Sequence, residues 1–225
     1  MASPIAHTFA GFWTFVWQRG HFKPQLRSSW RQCLRPLAVL ILLASAPDLD
    51  LLLGNAMHHG FTHSIIAAIL VSLALAWVWR IATGFWQSAF IYFTAYSSHL
   101  LIDFFTGSKI GWTNSGYGMP LFWPWHKTFS SPLILTFGVR HKDFAALFSL
   151  DNVWSCIYEA LIFGAITVVA SVLWNRKLKS QISRKAKLKL RTNPPTSEAS
   201  THLRFDLQYQ KRGTSVHLPQ LQDQR

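Results

Sequence analysis

Cysteine is nearly missing from this 225-residue chain, with Cys33 and Cys156 the only two. Cys33 falls in a basic stretch and Cys156 near the start of the last apolar run, so no disulfide is expected between them. Two lone thiols make neither a zinc ribbon nor a redox pair. Acidic residues are scarce too, nine against twenty-two Lys and Arg. The opening MASPIAHTFAGFWTFVW has no basic residues ahead of its apolar part, which argues against a cleaved signal peptide and for a short helix that stays in the protein. Internal repeats are absent as well.

Half of the chain is hydrophobic, 14% is charged, and the eleven Trp and seventeen Phe crowd into the first 175 residues. Crossing a hydrocarbon core takes roughly 20 apolar residues. The pattern predicts helices at about 4–17, 37–53, 63–83, 86–105 and 153–174, with a long loop over 106–152. The fold class expected is an all-α integral membrane protein, a bundle of four to five transmembrane helices. Two parts are expected: a membrane-embedded helical domain over 1–175, and over 176–225 a basic, mostly disordered tail that begins as a helical extension.

The net charge of +13 could point to nucleic acid, but its distribution points to topology. Arg19, Lys23, Arg27, Arg31 and Arg35 lie between the first two apolar segments, Arg80 at the end of the third, and NRKLKSQISRKAKLKLR after the last. If the segments alternate, these places share one side, and Lys and Arg are retained on the cytoplasmic side. The expectation is therefore a bacterial-type inner membrane protein with its N-terminus outside and its basic tail cytoplasmic. Membrane lipids are the partners this implies, with the tail touching anionic headgroups, and no direct nucleic-acid contact.

The polar residues of the apolar segments gather at the outer ends. The second helix breaks at SAPDLD, where Pro47 interrupts the ladder and Asp48 and Asp50 follow. The third begins at HHGFTHS, with His58, His59 and His63. The fourth carries SHLLIDFF, which sets His99 and Asp103 one turn apart on one face. His7 of the first helix reaches the same level. Three of the nine acidic residues and five of the ten histidines thus share one depth. Charge inside a membrane is expensive and marks function by default.

Histidine and carboxylate are ligands for divalent metal. The candidate ligands are His7, Asp48, Asp50, His58, His63, His99 and Asp103, and the three carboxylates suit one or two ions, zinc before others. Each piece has a plainer meaning alone: HxxxD as a helix-surface ion pair, PDLD as a helix-ending turn, and Thr62 or Ser64 as an N-cap. Their agreement in depth and side favours metal. The groups left for proton transfer are His59 and His126 of the long loop.

An early His, then PDLD, HHGFTHS, HLLIDFF and a Gly-containing loop leading to LFWP resembles the YdjM-type family, described as inner-membrane-associated metal-dependent hydrolases and also called LexA-binding. The likeness spans about residues 1–175. It falls on His7, Asp48, Asp50, His58, Thr62, His63, His99, Asp103 and Pro124, and His59 stands where that family commonly has Arg. The resemblance implies a metal-dependent hydrolase with a LexA-like protein as a partner, and the depth of the site points to an ester or phosphoester of an amphipathic or lipid substrate, with the Trp-rich loop as a lid. The alternatives are an ion- or proton-coupled transporter, and a membrane interaction protein whose metal site is structural.

Overall fold

The computed structural model describes residues 2–53, 60–125, 127–139 and 149–192. The chain divides into two compact units, Met1–Val169 and Ala170–Arg225. In the first, helix α1 is Pro4–Gln18, started by the Ser3 hydroxyl accepting from the Ile5 amide and by Pro4 in the first turn. A short α2, Pro24–Arg27, leads to α3, Trp30–Ser45. The expected start near residue 37 is corrected to Trp30. Ser29 caps the helix by accepting from the Gln32 amide, and Pro36 is carried inside it at the cost of one hydrogen bond.

Beyond Ser45 the chain tightens into a 3-10 stretch, Ala46–Leu53, which carries Asp48 and Asp50. A second 3-10 turn, Phe61–His63, precedes α4, Ile65–Val78. Ser64, not Thr62, caps α4, its hydroxyl accepting from the Ala67 amide at 3.1 Å. Helix α5 is Phe85–Phe104, and α6, Leu150–Thr192, continues well past the residue 174 expected from hydropathy. The disordered tail predicted after this extension falls at 193–225, outside the described residues.

Among the described residues, two helices are long and apolar enough to cross a membrane: Trp30–Asp50, whose most apolar stretch has mean hydropathy 1.3, and Leu150–Trp174, whose most apolar stretch reaches 2.1. Ile65–Val78 is apolar but has only 14 residues, or about 21 Å of helix. The expected third span is shortened because Trp79 closes α4, its amide bonding the Leu75 carbonyl. Helix α5 has 20 residues, yet Gln87, Ser88, Thr94, Ser97, Ser98, His99 and Asp103 dilute its apolarity.

Helix α1 packs on α3 and α5, α3 on α5, and α4 on α5. Small residues bring the helices close: a Cβ on Gly11 would lie 2.6 Å from the Ile41 Cα and 2.8 Å from the Leu40 carbonyl oxygen. Leu40, Leu43, Ala67, Ala68, Ile91, Tyr92, Ala95 and Leu100 fill the core between them. At one end of this bundle Phe22 bridges Ala82 and the Lys23 amide bonds the Ile81 carbonyl at 2.9 Å, so the basic loop after α1 lies beside the α4–α5 connection and Arg80.

At the other end the long loop is more ordered than its Gly, Pro and Trp content suggested. Strand β1, Thr106–Gly107, runs parallel to β4, Thr136–Phe137, and β2, Gly111–Trp112, antiparallel to β3, Leu133–Ile134. The Ile65 amide bonds the Leu121 carbonyl and the Ser131 amide the Phe104 carbonyl, which fasten the loop over the ends of α4 and α5. Trp112, Phe122 and Trp125 remain exposed on it. Both cysteines are free thiols.

Candidate metal centre

Four segments distant in sequence converge at this end: the first turns of α1, the 3-10 stretch after α3, the turn before α4, and the last turns of α5. They bring together His7, Asp48, His63, His99 and Asp103. The three imidazoles are fully buried, and Asp103 is 3% exposed. His99 and Asp103 meet as the HxxxD spacing requires, Nε2 to Oδ2 at 3.3 Å. His58, His59 and His126 lie outside the described residues.

The hydrogen bonds on the far sides of the rings decide which nitrogen faces the cluster. His99 Nδ1 donates to the Ala44 carbonyl at 2.8 Å, and a carbonyl can only accept, so this nitrogen carries the proton and Nε2 keeps its lone pair. Pro47 has no N–H to give the Ala44 carbonyl in the 3-10 pattern, which makes that oxygen available to the histidine.

His63 is held in the same sense. Thr62 donates its hydroxyl proton to Asp50 Oδ2 at 2.6 Å, and His63 Nδ1 lies 3.3 Å from that oxygen and 3.1 Å from the hydroxyl. Tyr96 donates to the Thr62 carbonyl at 2.6 Å and fixes the turn from α5. Asp50 therefore sits behind the His63 ring, on the opposite side from Asp48 and Asp103. That is the carboxylate–imidazole arrangement that orients metal-binding histidines.

Around the shared point, His63 Nε2 and His99 Nε2 are 3.3 Å apart. Asp48 Oδ1 is 3.6 Å from the first and 3.5 Å from the second. Asp103 Oδ2 is 3.7 Å from His63 Nε2. These separations are too long for good hydrogen bonds. They match the ligand-to-ligand edge of a tetrahedron with metal–ligand bonds of 2.0–2.2 Å, which is about 3.3–3.6 Å. His7 faces the other oxygens of the same two acids, its Nε2 lying 3.7 Å from Asp48 Oδ2 and 3.6 Å from Asp103 Oδ1. His7 stacks on His99 with ring centroids 3.9 Å apart.

His7 Nδ1 and Nε2, Asp48 Oδ1 and Asp103 Oδ2 are buried and make no hydrogen bond among the described residues. Ligand atoms of His7, Asp48, His99 and Asp103 all lie within 4.8 Å of one another. His63 approaches Asp48 and Asp103 at similar distances, so the grouping extends to five residues. The donor set, its burial and its orphaned atoms fit a divalent cation.

Sequence reasoning passed over the far side of this centre. Asp103 Oδ1 also accepts from the Ala2 amide at 2.8 Å. Glu159 of α6 is completely buried and accepts from the Ser3 amide, at 3.3 and 3.2 Å to its two oxygens, and from the Ser3 hydroxyl. An acid in the middle of the long apolar segment of α6 was the signal that could have found it.

Residues 4–180, most of the chain, match the protein family described as YdjM inner membrane protein. No curated protein and no solved structure matches.

Proposed function

The chain belongs to the YdjM inner membrane protein family, and from that premise and the buried His/Asp cluster we propose a membrane-bound, metal-dependent hydrolase of ester or phosphoester bonds. The observation that carries this is the convergence of His7, His63 and His99 through Nε2 on both carboxylate oxygens of Asp48 and Asp103, at 3.3–3.7 Å. A divalent ion, zinc by the chemistry of the donors, supplies there the Lewis acidity that polarises the scissile oxygen and acidifies a water.

His63, His99, Asp48 and Asp103 are the first ligand set. Asp48 and Asp103 turn their second oxygens to His7, so the donor set would suit one ion or two. Asp50 and Thr62 orient His63, and the Ala44 carbonyl orients His99. His58, beside the cluster in sequence, completes the shell, and His59 and His126 handle protons.

In the membrane, α1, α3, α4, α5 and α6 supply the four to five spans, with the cluster toward the outer face and the N-terminus outside. Arg19, Lys23, Arg27, Arg31, Arg35, Arg80 and the basic C-terminal part of α6 then face the cytoplasm. The substrate class is amphipathic, a lipid headgroup ester reached from the outer leaflet beneath the loop that exposes Trp112 and Trp125. Interfacial Trp suits that depth.

The test is elemental analysis of detergent-purified full-length protein, wild type against the His99→Ala/Asp103→Ala double variant, with a screen of generic phosphoester and carboxyl-ester substrates. Wild type should hold ion stoichiometrically and hydrolyse at least one class, and the variant should lose both. Wild-type protein free of metal, or a double variant that keeps it, would overturn the proposal.

A further inference from the structure

Glu159 is an acidic group on the more apolar of the two described helices that are long enough to cross a membrane. Most of that helix is exposed on the protein surface: Trp154, Leu161, Val168, Val169 and Trp174 are all open. Glu159 is 0% exposed. A carboxylate so placed is costly unless it meets donors, and here the donors are the unpaired amides at the start of another helix. Ser3, the N-cap of α1, gives Glu159 both its amide and its hydroxyl. One residue earlier the Ala2 amide goes to Asp103 Oδ1 at 2.8 Å. The positive end of the α1 dipole is thus held between one acid of the metal centre and one acid of α6.

His7 stands one turn beyond Ser3, its amide bonded to the Ser3 carbonyl. Both of its ring nitrogens make no hydrogen bond, so no contact on its own ring fixes it as the Ala44 carbonyl fixes His99 and Asp50 fixes His63. Stacking on His99 sets the plane of the ring but leaves its height along α1 to the helix itself. That height is determined where the helix begins.

We propose that Glu159 is a positioning residue of the centre: by capping α1 from α6, it sets His7 at the height of Asp48 Oδ2 and Asp103 Oδ1. This rests on the metal reading of the cluster. Nearby contacts keep α6 in register for the task. Trp13 donates its indole N–H to the Thr167 hydroxyl at 2.7 Å, and Phe163 lies tilted against Phe9 and edge-on to Trp13, with centroids 6.2 and 5.4 Å apart. Phe163 and Thr167 follow Glu159 at successive turns, so the acid and these contacts form one stripe on α6.

The test uses the full-length chain in detergent, with zinc affinity measured by chelator competition and the geometry read from the visible spectrum of the cobalt-loaded protein. Removing an outer partner of a ligand typically costs 10–100-fold in metal affinity. Glu159→Ala should weaken zinc by about that factor and shift the cobalt bands, and Glu159→Gln, which keeps an acceptor for Ser3, should restore most of both. In a His7→Ala background Glu159→Ala should add no further loss, because the effect passes through His7. Glu159→Ala within twofold of wild type, or a loss that adds in full to that of His7→Ala, overturns the proposal. If Glu159→Ala yields no folded protein, Ser3→Ala decides: weaker zinc supports the role, and unchanged zinc overturns it. A wild type that binds no zinc would remove the metal reading itself, which is distinct from a loaded wild type indifferent to Glu159.

Discussion

Replacing Asp103 by Ala separates the two things this carboxylate does. Its Oδ2 lies 3.3 Å from His99 Nε2 and 3.7 Å from His63 Nε2, and its Oδ1 lies 3.6 Å from His7 Nε2 and 2.8 Å from the Ala2 amide. Without it, the buried Ala2 amide loses its acceptor, which costs about 1–3 kcal/mol whether or not metal is present. The metal-dependent part is separable. Zinc at 100 times its dissociation constant stabilises a folded protein by about 2.7 kcal/mol. If losing a direct ligand raises that constant about 100-fold, the upper end of what an outer-shell loss does, the same zinc concentration falls to about the new constant. The stabilisation then drops to about 0.4 kcal/mol. The assay is a pair of thermal melts on each protein in detergent, one after stripping with chelator and one after adding zinc. Wild type should show a clear upward shift with zinc, and Asp103→Ala should show almost none from an already lowered baseline. A variant with the wild-type zinc shift would mean that Asp103 is no ligand, however far its baseline had fallen.

Thr62→Val keeps the side-chain shape but removes the 2.6 Å hydrogen bond to Asp50. It should cost about 1.5–3 kcal/mol as the loss of a bond to a charged group, and lower zinc affinity about tenfold by freeing His63, with Thr62→Ser restoring both in the same melts and competition assay. Gly11→Ala puts a methyl group 2.6 Å from the Ile41 Cα, where only backbone can yield. It should cost roughly 1–3 kcal/mol by overpacking, seen as a lower melting temperature with and without zinc.

What could be read in the sequence was local and periodic. The HxxxD spacing on α5 needs only helix geometry, and Pro47 announces the end of α3 because it has no amide to donate. The start of α3 was misplaced because the apolar run begins only after Arg35, whereas the helix already runs from the Ser29 cap and carries Pro36 inside. The strands β1 to β4 escaped notice since each has two residues, too short for any alternation to show. Glu159 was missed for a different reason. Its partners are backbone amides and a hydroxyl at the other end of the folded region, and no motif joins residues 3 and 159.

The energetics of the cluster bear on why these residues are together at all. Four buried polar atoms, His7 Nδ1 and Nε2, Asp48 Oδ1 and Asp103 Oδ2, make no hydrogen bond. At about 1–3 kcal/mol each, they cost an amount comparable with the whole stability of a typical fold, about 5–15 kcal/mol. A purely structural network of histidines and aspartates would close on itself at about 2.7–3.0 Å. Here the rings are turned by bonds on their far sides so that Nε2 faces Nε2 at 3.3 Å, longer than a good hydrogen bond. A cation met by His7 Nε2, Asp48 Oδ1 and Asp103 Oδ2 would reverse the sign of those three contributions. Because the donors come from α1, the turns flanking α3 and α4, and α5, such an ion would also tie together the ends of helices whose other ends are joined near Phe22 and Ala82. The same residues would then hold the fold closed and supply its chemistry, and losing the ion should free the His7 ring first, since it has no hydrogen bond among the described residues to hold it in place.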